Sequence, residues 1–280
     1  MKILLPPSER KTAPPAGSPL ALASLSFPQL TEQRQAVIEE LQRVSARSDA
    51  LSVLKVGKSL SAAVGEQAHL MQLPCALAWQ VYSGVLYEAM AVQELFGAPD
   101  SSAVSSHYYD RIRTMILVFS GVFGVHTLTD LIPAYRLAMG VGLPQLGSVA
   151  TFWKRELAPE QLTDDELVVD CRSGAYRVWD PPATAQQVEV QVVRDHDGKR
   201  SVVSHRAKYY RGLLAGELLR ADVLPETAQE LADFAHVLVE RGNLCGVELA
   251  AAGRAGGACT QRSRAQPYVL TLVEGQRELW

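Results

Sequence analysis

The sequence predicts a single mixed α/β domain, in which a central mixed sheet is flanked by helices. Two observations support this fold class: apolar runs of strand length recur along the chain, and segments with apolar residues at helical spacing lie between them. The clearest strand is Thr114 to Phe119, because its unbroken apolar run is typical of a strand buried on both faces. Neither a repeat of fixed period nor a low-complexity linker divides the chain, so residues 1 to 280 are expected to form one domain.

The other elements are predicted from the same patterns. An Asp-Gly pair between two β-rich runs predicts a hairpin around residues 195 to 198. Strands are predicted at Lys2 to Leu5, Pro74 to Tyr82, Thr114 to Phe119, Leu167 to Cys171, Val188 to Val193, Ser201 to His205 and Tyr268 to Val273. Helices are predicted at Gln29 to Val44, Asp49 to Val56, Ser59 to Leu70, Val149 to Leu157 and Pro225 to Arg241, with further helices ending near Phe96 and Arg220. Pro99 to Ser106 is predicted to be a loop.

The composition favours a globular, cytoplasmic protein. With 280 residues, of which 48% are hydrophobic, the chain can bury a large core. Its formal net charge of −3 provides no overall basic field, so any anion must be bound by a local group of cations. The four cysteines are far apart, which argues against a zinc site or a disulfide framework. No apolar run reaches the roughly 18 residues of a membrane span, and two prolines follow the first strand too soon for a signal peptide.

Hydroxyl and cationic side chains follow the ends of the predicted strands. Since ligands bind beyond the carboxyl ends of the strands in an open α/β sheet, we expect these side chains to line one cationic cleft. The set contains almost no carboxylates, which favours an anionic ligand such as a phosphate backbone, a nucleotide or a carboxylate. Its members are Ser8, Lys11, Ser83, Tyr87, Ser120, Tyr135, Arg136, Lys154, Arg172, Ser173, Tyr176, His205, Lys208 and Arg211.

Two glycines, Gly121 and Gly124, follow the central strand. Glycine permits a positive φ or a close approach of the backbone to another group. The turn is therefore either a simple chain reversal or a place where backbone N–H groups contact an anion. The pattern lacks the third glycine of a dinucleotide fingerprint, and no GxxxxGK[ST] loop occurs in the chain.

An enzyme is one of the hypotheses that this set of residues supports, with a nucleobase, a nucleotide or another small anion as its substrate. The set of hydroxyl and cationic side chains at several strand ends is more elaborate than the binding of a phosphate group requires. The candidate catalytic residues are Ser8, Lys11, Tyr87, His205 and Lys208. The set lacks paired carboxylates and grouped metal ligands, and no GxSxG elbow occurs, so neither a metal nor a cofactor is expected. An ordinary fold with solvated charged loops is a further alternative.

Five segments of the chain resemble the YaaA family. They are the opening MKILLPPSERK, YSGVLYEA at Tyr82 to Ala89, FSGVFGVHTLTDLIPAYRLAMG at Phe119 to Gly140, VVDCRS with Tyr176 after it, and VSHRAKYYRG at Val203 to Gly212. The segments occur in the family's order over nearly the whole chain. The resemblance implies a single mixed α/β domain and a role in resistance to peroxide stress.

The resemblance also implies that the protein binds double-stranded DNA in a positively charged cleft. A helix-hairpin-helix element would contribute to binding, and in this sequence it would fall on Ser120 to Val125. Such turns bind phosphate through backbone N–H groups, and contacts of this kind position a protein on DNA without reading its sequence. The leading hypothesis is therefore a DNA-binding protein of the peroxide stress response. The sequence indicates no oligomeric state.

Overall fold

An eight-stranded mixed sheet forms the centre of the fold in the computed structural model, which describes residues 1–96, 102–158, 166–196, 199–203, 206–252 and 267–275. Four further short strands form two separate pairs, β2 with β5 and β6 with β7. In chain order the strands are β1 (Lys2–Leu5), β2 (Ala76–Leu77), β3 (Ile116–Ser120), β4 (Gly124–His126), β5 (Leu131–Ile132), β6 (Gly142–Leu143), β7 (Gly147–Ser148), β8 (Leu167–Asp170), β9 (Gln186–His196), β10 (Lys199–Val202), β11 (Gly246–Ala251) and β12 (Tyr268–Glu274).

The order of strands across the sheet places several strand ends at one edge. The order is β11-β12-β9-β8-β1-β3-β4, and β10 pairs with β9 off this path. β1 is parallel to both β3 and β8, β9 is parallel to β8, and β12 is parallel to β9. β4, β10 and β11 run antiparallel to their partners, so the sheet is mixed, and the predicted fold class is confirmed. Because parallel strands end at the same edge, the segments that follow β1, β3 and β8 lie side by side.

Helices surround the sheet. They are α1 (Thr31–Ser45), α2 (Ala50–Leu54), α3 (Ser61–Glu66), α4 (Ala78–Val81), α5 (Val85–Met90), α6 (Val92–Phe96), α7 (Ser102–Met115), α8 (Val149–Glu156), α9 (Ala207–Arg220), α10 (Ala228–Ala235) and α11 (Val237–Glu240). α1 shows the predicted amphipathic pattern, since Val37, Ile38, Leu41 and Val44 are buried. Among the residues that the structure describes, no helix combines the length and the apolar character that crossing a membrane requires.

Two predicted elements are wrong, and five strands, β4, β5, β6, β7 and β11, were not predicted. Pro74 to Tyr82 is not a strand: β2 occupies two of its residues and the helical turn α4 follows, held by hydrogen bonds from the Ala78 and Trp79 N–H groups to the carbonyls of Asp130 and Leu128. Residues 102 to 106, predicted as part of a loop, belong to α7, which continues to Met115. The longest of these five is β11, whose only partner among the described residues is β12. Tertiary contacts outweighed the local pattern in these places.

The turn after β3 is a β-hairpin, so the helix-hairpin-helix element that the resemblance placed at residues 120 to 125 is wrong. β3 and β4 pair antiparallel, with Ser120 opposite Gly124. Gly124 has a φ of +68°, and a Cβ on it would lie 2.5 Å from the ring of Trp153. The buried guanidinium of Arg34 donates hydrogen bonds to the carbonyls of Phe123 (3.1 Å) and Val125 (2.7 Å). The close approach that Gly124 permits is therefore an approach of its backbone to the Trp153 ring of the same protein.

Candidate functional site

A pocket lies beyond the carboxyl ends of β1 and β8, next to the first turns of α5 and α9. We call it the Ser8 pocket. Its volume is about 180 Å³, which suits the anionic end of a ligand better than a whole nucleotide, since drug-sized ligands occupy roughly 300–1,000 Å³. The polar residues that line it are Ser8, Glu9, Arg10, Tyr87, Ser173, Tyr176 and Lys208. Five residues predicted from the sequence are therefore brought together.

The Ser8 hydroxyl is the unusual group of this pocket. Ser8 is 5% exposed, and its Oγ has no hydrogen-bond partner among the described residues. It lies against Gly84, where a Cβ would be only 2.4 Å from the oxygen. Burying a hydroxyl without a partner costs free energy, and nearly all buried polar groups in proteins are paired. An unpaired hydroxyl at the wall of a pocket is therefore suited to bind a ligand atom.

Two tyrosines form another part of the wall. The Tyr87 hydroxyl donates a hydrogen bond to the Pro6 carbonyl at 2.6 Å, which fixes the segment that leads from β1 to Ser8. Burial raises the pKa of Tyr87 well above its ordinary value and also raises the pKa of Tyr176. Both phenols stay neutral at neutral pH. Because the Tyr87 hydroxyl is already bound to a carbonyl, the structure favours a positioning role for this candidate catalytic residue.

Positive charge enters the pocket from α9. Lys208 is the second residue of this helix, and its Nζ lies 2.9 Å from Oε1 of the exposed Glu9. The amino end of a helix carries a partial positive charge that attracts anions. Since exposed ion pairs contribute little free energy, an anionic ligand can compete with Glu9 for the Lys208 ammonium. His205, the neighbouring candidate, lies outside the described residues.

Lys11 does not line the Ser8 pocket, but it contacts the backbone of Ser8. Its Nζ donates a hydrogen bond to the Ser8 carbonyl and is 4.2 Å from the centre of the Tyr135 ring. Burial, together with the nearby charge of Arg136, lowers the pKa of Lys11 to about 7, and Glu9 opposes the shift. A substantial fraction of this amine is neutral at neutral pH, unlike an ordinary lysine with a pKa near 10.4.

A network of buried hydrogen bonds holds the Tyr82 and Tyr135 rings, which lie close to the Lys11 amine. His126 Nδ1 is 2.8 Å from the Thr127 carbonyl, and burial lowers the pKa of this imidazole to about 4, so the neutral ring donates from Nδ1. Its Nε2 then accepts from the Tyr82 hydroxyl (2.9 Å), which in turn accepts from the Tyr135 hydroxyl (2.8 Å). Ser120 is buried near Tyr135, where its hydroxyl opposes the rise in the pKa of Tyr135 that burial causes. Ser120 and Tyr135, both predicted for the site, are therefore buried residues that do not line the Ser8 pocket, although Tyr135 lines the cavity that also contains Lys11.

The remaining predicted cations lie outside the Ser8 pocket. Arg211 donates two hydrogen bonds to the Val190 carbonyl, at 3.1 and 2.7 Å. Lys154 is exposed on α8, beside a separate cavity. Arg136 lines a different cavity together with Lys11. These positions do not form the single cationic cleft that the strand ends suggested.

The uncharged residues predicted for the site divide in the same way. Ser173 lines the Ser8 pocket, whereas Ser83 lines a neighbouring cavity on the other side of Tyr87. Gly121 and Gly124 are buried in the hairpin after β3, with Leu137 and Trp153 as their close neighbours. We therefore leave the two glycines out of the candidate site.

Arg172 is neutralised by a carboxylate that the sequence reading missed. Its Nε and Nη2 donate to the two carboxylate oxygens of Asp170, at 2.9 and 2.8 Å, and both side chains are buried. The Arg172 guanidinium also lies 4.4 Å from the centre of the Phe119 ring. The signal was present in the sequence, because Asp170 ends β8 two residues before the arginine. This pair supports the strand end and leaves no free cation for a ligand.

The fold and the pocket together define a class: a mixed α/β protein with an anion-sized pocket at the carboxyl edge of its sheet. The profile of the Peroxide stress protein YaaA family matches residues 1–237, and the chain belongs to that family. It is 37% identical over 240 residues to a UPF0246 protein of Streptomyces coelicolor, a match that covers 83% of this chain and 88% of the relative. It is 38% identical over 239 residues to a UPF0246 protein of Corynebacterium efficiens, with 84% and 91% covered. The resemblance noted in the sequence is confirmed.

Proposed function

We propose that this member of the peroxide stress protein YaaA family binds a small anionic ligand in the Ser8 pocket, through a phosphate or carboxylate group. The observation that carries the proposal is the buried Ser8 hydroxyl, which has no partner among the described residues. Lys208 and the amino end of α9 supply positive charge at the same place. Since the pocket is small, the rest of a nucleotide-sized ligand would lie outside it.

Replacing Ser8 with alanine should weaken the binding of a phosphate compound by about ten- to a hundredfold, because a hydrogen bond to a charged group contributes roughly 1.5–3 kcal/mol. Isothermal titration with inorganic phosphate and with AMP measures the effect. Lys208→Gln should weaken binding less, since this ammonium is partly exposed and screened. The control is Lys58→Gln, an exposed lysine remote in sequence that should bind as the parent does. Parent-like binding by Ser8→Ala would contradict the proposal.

A second candidate is binding of duplex DNA, which the family resemblance implies for the sequence. The observation that favours it is a pair of cations that line the Ser8 pocket, the exposed Arg10 and the partly exposed Lys208. Both are paired with carboxylates, of Glu88 and Glu9, so DNA phosphates would have to replace these partners. In this candidate the phosphate contacts provide affinity without sequence preference.

If duplex DNA binds here, its affinity should fall steeply with salt, by a slope of roughly 0.9 per phosphate contacted in a plot of log K against log salt. Fluorescence anisotropy on several unrelated duplexes measures both the slope and the sequence preference. Lys208→Glu should weaken all duplexes equally, whereas Lys58→Glu, which carries the same change of charge elsewhere, should have a smaller effect. Absence of binding at low salt would contradict this candidate and leave the small-anion proposal untouched.

A further inference from the structure

A second cavity adjoins the loop that carries Ser8, on the other side of Lys11. Its volume is about 540 Å³, within the range of small-molecule sites, roughly 300–1,000 Å³. We call it the Lys11 cavity. Most of its wall is apolar, from residues such as Pro14, Leu73 and Pro74, and two cationic side chains, Lys11 and Arg136, lie in that wall. An apolar cavity with a few polar groups in fixed positions is typical of a site for a small organic molecule.

The Lys11 amine is held rigidly in this wall. The segment from Lys11 to Thr12 pairs with the end of α4: Lys11 forms a β-bridge with Tyr82, and the Thr12 N–H donates to the Val81 carbonyl at 2.8 Å. The Nζ contacts the Ser8 carbonyl and the face of the Tyr135 ring. A lysine next to a second cation in a desolvated setting loses its proton readily and becomes a nucleophile. The pKa of Lys11, lowered to about 7 by burial and by Arg136, agrees with this setting.

Arg136 provides the second recognition group. It is fixed by a hydrogen bond from Nη1 to the Glu9 carbonyl at 2.6 Å, and its backbone N–H donates to the Gln67 side chain. A guanidinium binds a carboxylate with two donors in one plane, which a lysine cannot do. Among the described residues, Glu66 is the carboxylate in the wall of the Lys11 cavity, and it is exposed to solvent.

We propose that Lys11 is the reactive amine of a covalent site, where it forms an imine with a small α-oxo acid whose carboxylate binds Arg136. The two groups of an α-oxo acid match the two cations of the wall, because its electrophilic carbonyl carbon is bonded directly to its carboxylate. This site is separate from the Ser8 pocket and does not rest on the function proposed for it.

The bond changes need no other reactant. The Lys11 nitrogen adds to the carbonyl carbon to give a carbinolamine, and a C=N double bond then replaces the C=O double bond. The carbonyl oxygen leaves as water together with the two hydrogens of the amine. The step requires the neutral amine, which Lys11 provides at neutral pH and an exposed lysine does not.

Reductive trapping tests the proposal. The purified protein is incubated with pyruvate and sodium cyanoborohydride at about pH 7.5, and the modified lysines are located by peptide mass mapping. Lys11 should be labelled at least about tenfold faster than Lys58, because the amine of an ordinary lysine is almost entirely protonated at this pH. Uniform labelling of the exposed lysines, with Lys11 no faster than they are, would overturn the proposal without the need for any variant.

Two variants test the recognition of the carboxylate and the identity of the amine. Arg136→Gln should lower the labelling of Lys11 by pyruvate more than by methyl pyruvate, the neutral ester with the same carbonyl, because loss of the Arg136 charge raises the pKa of Lys11 for both reagents but removes the carboxylate partner for pyruvate alone. Equal loss with both reagents, or with neither, would overturn the role of Arg136. Lys11→Arg should abolish the fast adduct, whereas Lys58→Arg should leave it unchanged; a fast adduct that persists in Lys11→Arg overturns the assignment of the amine.

The pH dependence of labelling provides a readout that a structural lysine would not show. The rate at Lys11 should rise through about pH 7, whereas labelling of an ordinary lysine, with a pKa near 10.4, keeps rising to much higher pH. A rate at Lys11 that follows the exposed lysines up to high pH would overturn the proposal. The titratable and charged groups that face the amine are Glu9, Tyr82, His126, Tyr135 and Arg136; burial keeps both tyrosines and the histidine neutral near pH 7.

Discussion

Asp170→Asn is expected to lower the free energy of unfolding by roughly 3–5 kcal/mol, because removing one partner of a buried ion pair leaves the other charge uncompensated. The Asp170 carboxylate receives two hydrogen bonds from the Arg172 side chain and one from the Arg172 backbone N–H at 3.0 Å. Gln187 donates a further hydrogen bond, at 3.3 Å. Urea unfolding followed by circular dichroism measures the change. An Asp170→Asn protein as stable as the parent would show that this pair does not support the strand end.

The same pair predicts a dependence of stability on pH. Burial alone would raise the pKa of Asp170, but the charge and hydrogen bonds of Arg172 outweigh burial and hold the pKa below the ordinary value of 3.8. A carboxyl with a lowered pKa in the folded state stabilises the protein above its unfolded pKa, and this stabilisation is lost as the pH falls through the folded value. The difference between parent and Asp170→Asn should therefore be constant from pH 6 to 8 and shrink below about pH 4.

A matched control separates burial from charge. Arg47 and Asp49 also form an ion pair with two hydrogen bonds, at 2.8 and 2.6 Å, but both side chains are exposed. Asp49→Asn should leave the stability almost unchanged, because solvent and salt screen an exposed pair. Equal losses in the two variants would mean that the loss of negative charge, not the buried pair, explains the effect.

Gly124→Ala is expected to destabilise the fold by roughly 2–5 kcal/mol, for two reasons that add. A positive φ costs a non-glycine residue about 1–2 kcal/mol, and overpacking of a core costs about 1–3 kcal/mol. The added Cβ would lie 2.5 Å from the Trp153 ring, which is fully buried and cannot move without losing the hydrogen bond from its Nε1 to the Gly121 carbonyl, 2.9 Å.

Gly147 separates these two reasons. It has nearly the same φ, +71°, but a Cβ added there would meet nothing within 4 Å. Gly147→Ala should therefore cost only the strain, about 1–2 kcal/mol. Thermal and chemical unfolding of both variants give the difference. If the two substitutions lower the free energy of unfolding equally, the contact with Trp153 contributes nothing, and the hairpin accommodates the added Cβ.

The sequence predicted the sheet better than it predicted the partners of the side chains. Buried parallel strands are continuous apolar runs, so β1, β3 and β8 were recognised directly, as was the β9–β10 hairpin from its Asp-Gly pair. Ser8 and Ser173 came together because each follows the end of a strand in the parallel part of the sheet. The topology of the sheet therefore accounts for this part of the site, and the apolar runs in the sequence predict these strands.

The remaining cations were assigned to the site because their partners cannot be read from composition. Arg211 binds a backbone carbonyl and Arg172 binds a carboxylate two residues away, and only coordinates show that these donors are occupied. Nothing in the local sequence indicated that Lys11 contacts an aromatic ring or has a desolvated amine, because Tyr135 and Arg136 are distant from it along the chain. Tertiary packing, not local pattern, decides which charged groups remain available to a ligand.

The place of β12 in the sheet determines when the protein can finish folding during synthesis. β12 lies between β9 and β11, and the backbone of β11 reaches the rest of the sheet only through it in the described part of the chain. Until Tyr268–Glu274 has been made, one edge of the long, valine-rich strand β9 stays open, and its backbone around Val190 and Val192 lacks its β12 partner. An open apolar edge pairs readily with another chain. A nascent chain that stops before β12 is therefore exposed to aggregation although most of its core is already present.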